Sequence, residues 1–276
     1  MLYPERKRVV ILGSNSFIGK NLIKVLKKKK ISYFLINRKK IDFEKKNSYK
    51  ALSKLIRDND TCIFIAANVP VKNEKMFLSN ILIAQNICNA IKTKKIRHFI
   101  YVSSDAVYSD SKKRIKETSK KHPDNLHGLM HLTREIMLKN FLDKNNLTIV
   151  RPTLIYGEGD PHNGYGPNQF LRLIKQKKNI KLFGKGEELR DHIRIEDVAK
   201  MLYFIVNQSI VGEFNLVSGR VINFLNIAKK MIKDNASKVK IIFVKRTKPI
   251  PHGGYRAFYP SLLLKKVKNL KIKTFN

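Results

Sequence analysis

Residues 8–19 read Arg-Val-Val-Ile-Leu-Gly-Ser-Asn-Ser-Phe-Ile-Gly, and this stretch decides the fold. A short β-branched run ends at Gly13, and a helical pattern of apolar residues starts at Phe17. The two patterns predict a buried parallel strand that passes through a tight turn into a helix. Such a turn presents free N–H groups at the helix N-terminus, where dinucleotide-binding folds hold a pyrophosphate.

The glycines of this loop have separate tasks. Gly13 permits the tight turn, and Gly19 lets the helix and the strand pack closely, whereas Ser16 replaces the middle glycine of the usual fingerprint. We expect Gly13, Ser16, Phe17, Ile18 and Gly19 to bind a cofactor pyrophosphate. A strand-to-helix turn without a ligand has the same spacing, but the strand-loop-helix context at the N-terminus favours cofactor binding.

Strands and helices alternate through the first half of the chain. Apolar runs predict strands at 8–13, 31–36, 61–67, 96–104 and 147–152, and helical patterns predict helices at 17–29, 48–57, 74–93 and 128–143. This alternation is typical of a doubly wound parallel sheet. We therefore predict an α/β protein whose residues 1–152 form a Rossmann-type, NAD(P)-binding domain.

The pattern changes after Pro152. Gly and Pro cluster at 157–167, which is typical of a long functional loop. Shorter elements follow, with helices predicted at 167–177, 196–207 and 223–234 and strands at 180–183, 190–195, 212–217 and 239–244. We expect residues 153–276 to form a smaller C-terminal substrate-binding lobe that is interleaved with the last strands of the sheet.

Arg38 follows the second predicted strand, where a fold specific for NAD usually has Asp or Glu. An arginine at this point more often accommodates a 2′-phosphate. The cofactor is therefore expected to be NAD or NADP, with Arg38 favouring NADP slightly. A surface charge in a lysine-rich chain explains the residue almost as well.

The net charge of +36 comes mainly from 43 lysines that are spread over the whole chain. No pattern of alternating basic and aromatic residues is present, so we do not expect nucleic acid as a partner. Cys62 and Cys88 lie in apolar stretches and predict core thiols of a reduced compartment. No membrane span or signal peptide is recognised, and a cytoplasmic location is expected.

Longer motifs resemble those of a known family. They are Gly-Ser-Asn-Ser-Phe-Ile-Gly (13–19), Ser-Ser-Asp-Ala-Val-Tyr (103–108), Arg-Pro-Thr-Leu-Ile-Tyr-Gly (151–157) and the specific stretch Leu-Phe-Gly-Lys-Gly-Glu-Glu-Leu-Arg-Asp-His-Ile-Arg-Ile-Glu-Asp-Val-Ala (182–199). The chain resembles, over about residues 8–260, the extended short-chain dehydrogenase/reductase family. Its NAD-dependent epimerases and dehydratases act on nucleotide sugars.

The resemblance implies roles for individual residues. Ala66 and Ala67, within Ile-Ala-Ala-Asn (65–68), would pass under the nicotinamide half of the cofactor, with Asn80 nearby. Ser104 would be the catalytic serine.

In the second half, Asn168 would contact the diphosphate of the substrate and Arg190 a phosphate oxygen. Arg256 is a further phosphate candidate, for which a surface charge is an equal interpretation. The resemblance also implies a homodimer.

The catalytic pair departs from the family pattern. The family has Tyr and Lys one helical turn apart, and Gly128 and Glu135 set the register that places His127 and His131 at these positions. In the family, the lysine charge lowers the tyrosine pKa so that the phenol exchanges a proton while hydride moves.

Four interpretations of the two histidines are open. His127 can replace Tyr as acid and base, because imidazole titrates near neutrality. Redox turnover can instead be lost while cofactor and nucleotide sugar still bind. A metal site would need a third ligand, which is not evident, and a misjudged register would make both histidines ordinary.

We favour the first interpretation, with Ser104, His127 and His131 as catalytic residues. It predicts an NAD(P)-dependent epimerase, dehydratase or reductase that transfers hydride at a sugar carbon, used in making surface polysaccharide. A protein that binds both ligands without turnover is the alternative.

Overall fold

The computed structural model describes residues 8–267 and 270–275. Its strands are β1 (Val9–Leu12), β2 (Tyr33–Ile36), β3 (Thr61–Phe64), β4 (His98–Val102), β5 (Leu147–Pro152), β6 (Leu154–Tyr156), β7 (Ile180–Phe183), β8 (Leu189–Arg194), β9 (Gly212–Leu216), β10 (Val221–Asn223), β11 (Ile241–Val244) and β12 (Tyr255–Arg256). Its α-helices are α1 (Phe17–Lys28), α2 (Tyr49–Leu55), α3 (Glu74–Ile91), α4 (Leu126–Phe141), α5 (Pro167–Lys175), α6 (Ile195–Gln208), α7 (Phe224–Asp234) and α8 (Leu263–Lys266).

The chain divides into two compact units, each of which is made of several segments. The first unit comprises the chain up to Ser109 together with Ser119–Pro152 and Ala199–Asn215. The second unit comprises Asp110–Thr118, Thr153–Val198 and the chain from Leu216 onward. None of the described helices is long and apolar enough to span a membrane.

A six-stranded sheet in the order β2-β1-β3-β4-β5-β9 forms the centre of the first unit. The pairs from β2 to β5 are all parallel. The predicted Rossmann-type, doubly wound sheet is therefore confirmed. Because β2 and β3 lie on opposite sides of β1, the strand order reverses at β1, and ligands of such sheets bind beside the carboxyl ends of the strands at this point.

The core of this unit lies between the sheet and the helices. Strands β1, β3 and β4 are buried at every residue, which explains their nearly uninterrupted apolar sequences. Leu52 of α2, Ile83 and Ile87 of α3 and Leu138 of α4 pack in one cluster with Phe64 of β3. Apolar side chains at helical spacing thus fix which face of each helix meets the sheet.

Several predicted element ends were displaced by local hydrogen bonds. The strand predicted at 61–67 ends at Phe64, because the N–H groups of Ile65 and Ala66 both donate to Leu12 O at 2.9 Å and the ladder cannot continue. The helix predicted from residue 128 begins at Leu126, because Asn125 Oδ1 accepts from Gly128 N at 2.9 Å and caps it. The short strands β6, β10 and β12 were not predicted, since two or three residues show no periodicity.

A buried ion pair joins α4 to the sheet. Glu135 of α4 and Arg151 of β5 form a bidentate pair, with Oε1–Nε and Oε2–Nη2 distances of 2.7 Å, and both side chains are fully buried. Ser103 donates to the same Oε1 at 2.7 Å, and Arg151 reaches Tyr108 Oη at 2.9 Å and Glu213 Oε2 at 2.5 Å. These contacts fix the rotation of α4 about its axis.

The second unit is organised around β8. This strand pairs in parallel with β6 and β12 and antiparallel with β10. A parallel pair of β7 and β11 lies beside a separate apolar cluster, to which α5 contributes Phe170 and Ile174 and α7 contributes Phe224 and Ile227.

The buried pair allows a stability prediction. We expect Glu135→Gln to lower the free energy of unfolding by about 3 kcal/mol, because a buried guanidinium loses most of its compensating charge. Urea denaturation measures the effect, with Glu158→Gln, which changes an exposed carboxylate, as the control. A loss below about 1 kcal/mol would contradict the importance of this pair.

Candidate cofactor and active site

The loop after β1 has the close backbone approach that the sequence predicted. Gly13 has φ +100°, and a Cβ there would lie 2.6 Å from Ala66 N. A Cβ at Gly19 would lie 2.8 Å from Ser14 O. Both positions therefore require glycine, the first because β1 and β3 converge and the second because α1 starts against the loop.

Ser16 caps α1. Its Oγ accepts a hydrogen bond from Gly19 N at 3.0 Å. The first-turn N–H groups of a helix have no partner within the helix, so those of Phe17 and Ile18 remain available to an anion at the positive end of the helix dipole. The side chain that replaces the middle glycine thus orders the turn and leaves its anion-binding groups free.

A cavity of about 210 Å³ opens beside this loop, at the point where the strand order reverses. It brings together five of the predicted cofactor residues, namely Gly13, Ser16, Arg38, Ala66 and Ala67. It also contains polar residues that the sequence did not single out, namely Asn15, Asn37, Asp42, Glu44 and Asn68. A glycine turn that a Cβ would fill, next to open helix N–H groups, fits a dinucleotide cofactor.

Arg38 is not a free cation in this cavity. Its Nη2 lies 2.7 Å from Glu44 Oε1, and its Nε lies 3.5 Å from Asp42 Oδ2. A preference for NADP would require the Arg38 guanidinium to be available to a 2′-phosphate. Its contacts with Asp42 and Glu44 weaken the argument for that preference. The two carboxylates follow Arg38 within six residues, so they could have been considered from the sequence.

Asn80 is fully buried and lies behind the cavity wall. Its Oδ1 accepts from Asn68 N at 3.0 Å, and its Nδ2 donates to Asn68 O at 2.9 Å and to Met76 O at 2.8 Å. Its amide is therefore committed to holding the loop after β3. Asn80 supports the cavity-lining Asn68 and is not itself a lining residue.

Ser104 and His127 belong to elements that pack tightly. Ser104 follows β4 and caps the 3₁₀ turn Asp105–Val107, with its Oγ accepting from Ala106 N at 3.2 Å. A Cβ at Gly128 would lie 2.1 Å from Ala106 O, so only glycine lets the first turn of α4 reach this turn. The glycine after His127 thus brings the two predicted catalytic elements together.

His127 is a partly buried neutral imidazole. Burial lowers its pKa below the ordinary value, although the nearby Asp105 carboxylate acts in the opposite direction. Its Nδ1 is buried without a hydrogen-bond partner among the described residues. A neutral ring near pH 7 can accept a proton through Nε2, the nitrogen on its other edge.

His131 is more deeply buried, with 5% of its surface exposed. Its Nδ1 lies 2.8 Å from Tyr101 Oη, and its ring meets that of His127 edge to face at 4.9 Å between centroids. Burial, His127 and Arg134 keep the pKa of His131 well below the ordinary value. The ring is therefore uncharged and does not supply the positive charge of a lysine.

Arg134, one turn further along α4, is a buried cation that the sequence did not reveal. It is 0% exposed, and its guanidinium donates to Asn80 O at 2.6 Å, Asn80 Oδ1 at 2.9 Å and Ala66 O at 3.0 Å. These are uncharged oxygens, so no carboxylate in these contacts neutralises the charge. The group also lies over the Phe64 ring, 4.8 Å from its centroid.

The histidines do not form part of a metal-binding cluster. Within residues 8–267 and 270–275, no group of three or more His, Cys, Asp or Glu side chains is arranged to hold a metal ion.

In the second unit, the structure brings two predicted phosphate-binding residues together. Arg190 of β8 and Arg256 of β12 are directly opposite each other on paired strands. Arg190 Nη2 contacts Glu188 Oε2 at 2.6 Å, and Arg256 Nη1 contacts Asp110 Oδ1 at 3.2 Å. Both side chains are almost fully buried, so Arg256 is not a surface charge.

Asn168 and Arg246 make further contacts in the second unit. Asn168 Oδ1 accepts from Gly157 N at 3.0 Å, so its amide positions the glycine-rich loop. Arg246 pairs with Glu188. Arg190 and Arg246 thus share the carboxylate of Glu188, and Arg256 pairs with Asp110.

The chain is similar to known proteins of one family. Residues 9–217 match the model of the NAD dependent epimerase/dehydratase family. The dTDP-D-glucose 4,6-dehydratase of Bos taurus is 23% identical to the chain, over 82% of the chain and 72% of that protein.

Two crystal structures share the fold. One is dTDP-4-dehydrorhamnose reductase from Bacillus anthracis in complex with NADP, with a TM-score of 0.82, 20% identity and coverage of 99% of this chain and 96% of that chain. The other is Thermus thermophilus UDP-glucose 4-epimerase in complex with NAD, with a TM-score of 0.81, 18% identity and coverage of 97% and 95%.

His192 of β8 gives a prediction about acid stability. Burial lowers its pKa to about 3, and neither ring nitrogen has a hydrogen-bond partner among the described residues. A lowered pKa means that protonation favours unfolding, so stability falls as the pH drops below 6.5 towards about 3. We expect His192→Phe to stabilise the protein by about 1 kcal/mol at pH 7, because an unsatisfied polar ring is removed.

The variant should also lose less stability on acidification than the wild type. Urea denaturation at several pH values measures both effects, and His162→Phe, at an exposed histidine, is the control. If the His192→Phe variant is less stable and its pH dependence is unchanged, protonation of a buried, unsatisfied His192 ring does not cause the loss of stability in acid.

Proposed function

The chain belongs to the NAD dependent epimerase/dehydratase family, and we propose that it transfers hydride at a carbon of a nucleotide sugar, with His127 carrying the proton. The observation that carries this proposal is the packing of Gly128 against Ala106, which sets His127 next to the turn that Ser104 caps. The reaction is an epimerisation, dehydration or reduction.

The residues of the first unit fit a nicotinamide dinucleotide. Gly13, Ser16, Phe17, Ile18 and Gly19 would hold its pyrophosphate. The chemistry that this group supplies when bound is reversible hydride transfer at a sugar carbon. The loop of Ala66 and Ala67, held from behind by Asn80, would shape the nicotinamide end of the site.

His127 would act as the base. Its imidazole is neutral at pH 7, so Nε2 can take the proton of a sugar hydroxyl while the Ser104 hydroxyl orients that group. The same nitrogen returns the proton when hydride moves back. His131 would act by packing against the His127 ring.

Arg134 would supply the fixed positive charge that a lysine supplies in the family pattern. Its guanidinium is buried, is not neutralised by a carboxylate in its hydrogen bonds, and contacts Ala66 O and Asn80. The low dielectric of the interior makes its field effective over a short distance. Arg134 is thus a positioning residue that, together with burial and His127, lowers the pKa of His131 and keeps that ring neutral.

The second unit would hold the nucleotide sugar. Arg190 and Arg256, opposite each other on β8 and β12, present guanidinium groups suited to a diphosphate. Asn168 would act by fixing the loop at Gly157. The proposal keeps a cofactor domain (1–152) and a substrate lobe (153–276) that are interleaved, since Ala199–Asn215 belongs to the first unit and Asp110–Thr118 to the second.

A protein that binds both ligands without redox turnover is the second candidate. The burial of His131 favours it, because a ring bound to Tyr101 cannot hold the nicotinamide ribose as a lysine does. Substrate turnover distinguishes the two candidates.

We also propose a cellular location and an oligomeric state for the protein. The buried free thiols of Cys62 and Cys88 suit a reduced compartment, the cytoplasm, where nucleotide sugars feed the synthesis of surface polysaccharide. Exposed apolar side chains on one face of α4, Leu129 (42%) and Ile136 (52%), suit a homodimer.

The proposed role of His127 allows a prediction about catalysis. With NAD or NADP present, we expect turnover of a UDP-, GDP- or dTDP-sugar that falls at least about 100-fold in His127→Ala. Because the pKa of His127 lies below its ordinary value of 6.5, activity should stay level near pH 7 and fall only at lower pH, as the ring becomes protonated.

Product formation is followed by chromatography, and binding by calorimetry. His122→Ala, at an exposed histidine that precedes α4, is the control and should keep full activity. A nucleotide sugar that binds but is not turned over would overturn the enzymatic proposal in favour of the second candidate.

The exposed apolar face of α4 allows a prediction about assembly. Ile136→Glu should convert the dimer into monomers, because a charge would be buried in the interface. Light scattering after gel filtration gives the mass, and Ile242→Glu, at an exposed position of β11, is the control. A monomeric wild type would refute the homodimer.

A further inference from the structure

One edge of the cofactor cavity contains a compact group of charged side chains. Arg38, Asp42 and Glu44 all line the cavity. Arg38 Nη2 lies 2.7 Å from Glu44 Oε1, and Arg38 Nε lies 3.5 Å from Asp42 Oδ2. The guanidinium is therefore turned towards the two carboxylates.

Glu44 is held in place from its other side as well. Ser79 Oγ donates to Glu44 Oε2 at 2.7 Å, and Asn68 Nδ2 donates to Ser79 Oγ at 3.1 Å. A carboxylate oxygen can accept more than one hydrogen bond, so Glu44 keeps acceptor capacity for a ligand. The side chain is thus a fixed acceptor at the cavity wall.

The charges at this edge disfavour a phosphate. One guanidinium faces two carboxylates, so the group as a whole is negative. Neither Lys39 nor Lys40 is among the described residues that line the cavity. The Lys40 ammonium lies instead over the Phe34 ring, 3.9 Å from its centroid. A phosphate monoester carries about −1.5 to −2 charges at pH 7, and the carboxylates would repel it.

We propose that Glu44 makes this protein select NAD over NADP, by accepting a hydrogen bond from a ribose hydroxyl of the cofactor and by repelling a 2′-phosphate. The inference rests on the proposed function, because it takes the cavity to bind a nicotinamide dinucleotide. It reverses the preference that Arg38 alone suggested. Arg38 positions Glu44 and offsets part of its charge.

The test compares the affinities of NAD and NADP. Dissociation constants are measured by isothermal titration calorimetry for the wild type, for Glu44→Gln and for a control, at an ionic strength of about 0.15 M so that the overall positive charge is screened. We expect the wild type to bind NAD at least about tenfold more tightly than NADP. Glu44→Gln should shift the ratio of the two constants about tenfold towards NADP.

Asp234→Asn is the matched control. It removes one carboxylate from the second unit, where Asp234 is 52% exposed and pairs only loosely with Lys230 at 3.5 Å. The ratio should equal that of the wild type, which separates the local effect of Glu44 from the change in net charge.

Two results would overturn the inference while leaving the proposed function intact. They are a wild type that binds NADP as tightly as NAD, and a Glu44→Gln variant whose ratio does not change. If neither cofactor binds to the wild type, the proposed function fails and the inference fails with it.

Discussion

The buried pair of Glu135 and Arg151 is the constraint on which the geometry of the candidate site depends. It joins the middle of α4 to β5 by two parallel hydrogen bonds, and Ser103 ties the same carboxylate to the end of β4. These hydrogen bonds fix the orientation of α4 about its own axis. About two turns earlier, His127 precedes Gly128, which packs against the turn that Ser104 caps.

Two other close approaches complete this constraint. Gly128 lets the start of α4 touch Ala106, and Gly13 lets the end of β1 touch Ala66. Neither approach tolerates a side chain, so the two glycines set the distance between backbone segments. These backbone contacts act together with the pair of Glu135 and Arg151 to position the cavity and the start of α4. Under the proposed function, such a scaffold would accept histidines at the two positions where the family pattern has tyrosine and lysine.

The doubly wound parallel sheet could be predicted from the sequence, because the alternation of strand and helix patterns is typical of it. The tight turn at Gly13 and the start of α1 next to Ser16 are local features that the motif predicted. Other features could not be predicted, since they depend on pairing between distant residues. The partners of Arg38, the burial of His131 and the meeting of Arg190 with Arg256 across two strands belong to this class. A short strand such as β12 carries too little pattern to be recognised, so its arginine resembled a surface charge.

The pairing of Arg190 with Arg256 also has a thermodynamic consequence. Like charges directly opposite each other on neighbouring strands repel, and the carboxylates of Glu188 and Asp110 offset this repulsion. An anion that binds between such groups in the folded state alone stabilises that state by mass action. If the diphosphate of a nucleotide sugar binds there, as proposed above, the free energy of unfolding would rise with the concentration of that ligand. Folding stability and ligand supply would then be linked quantities.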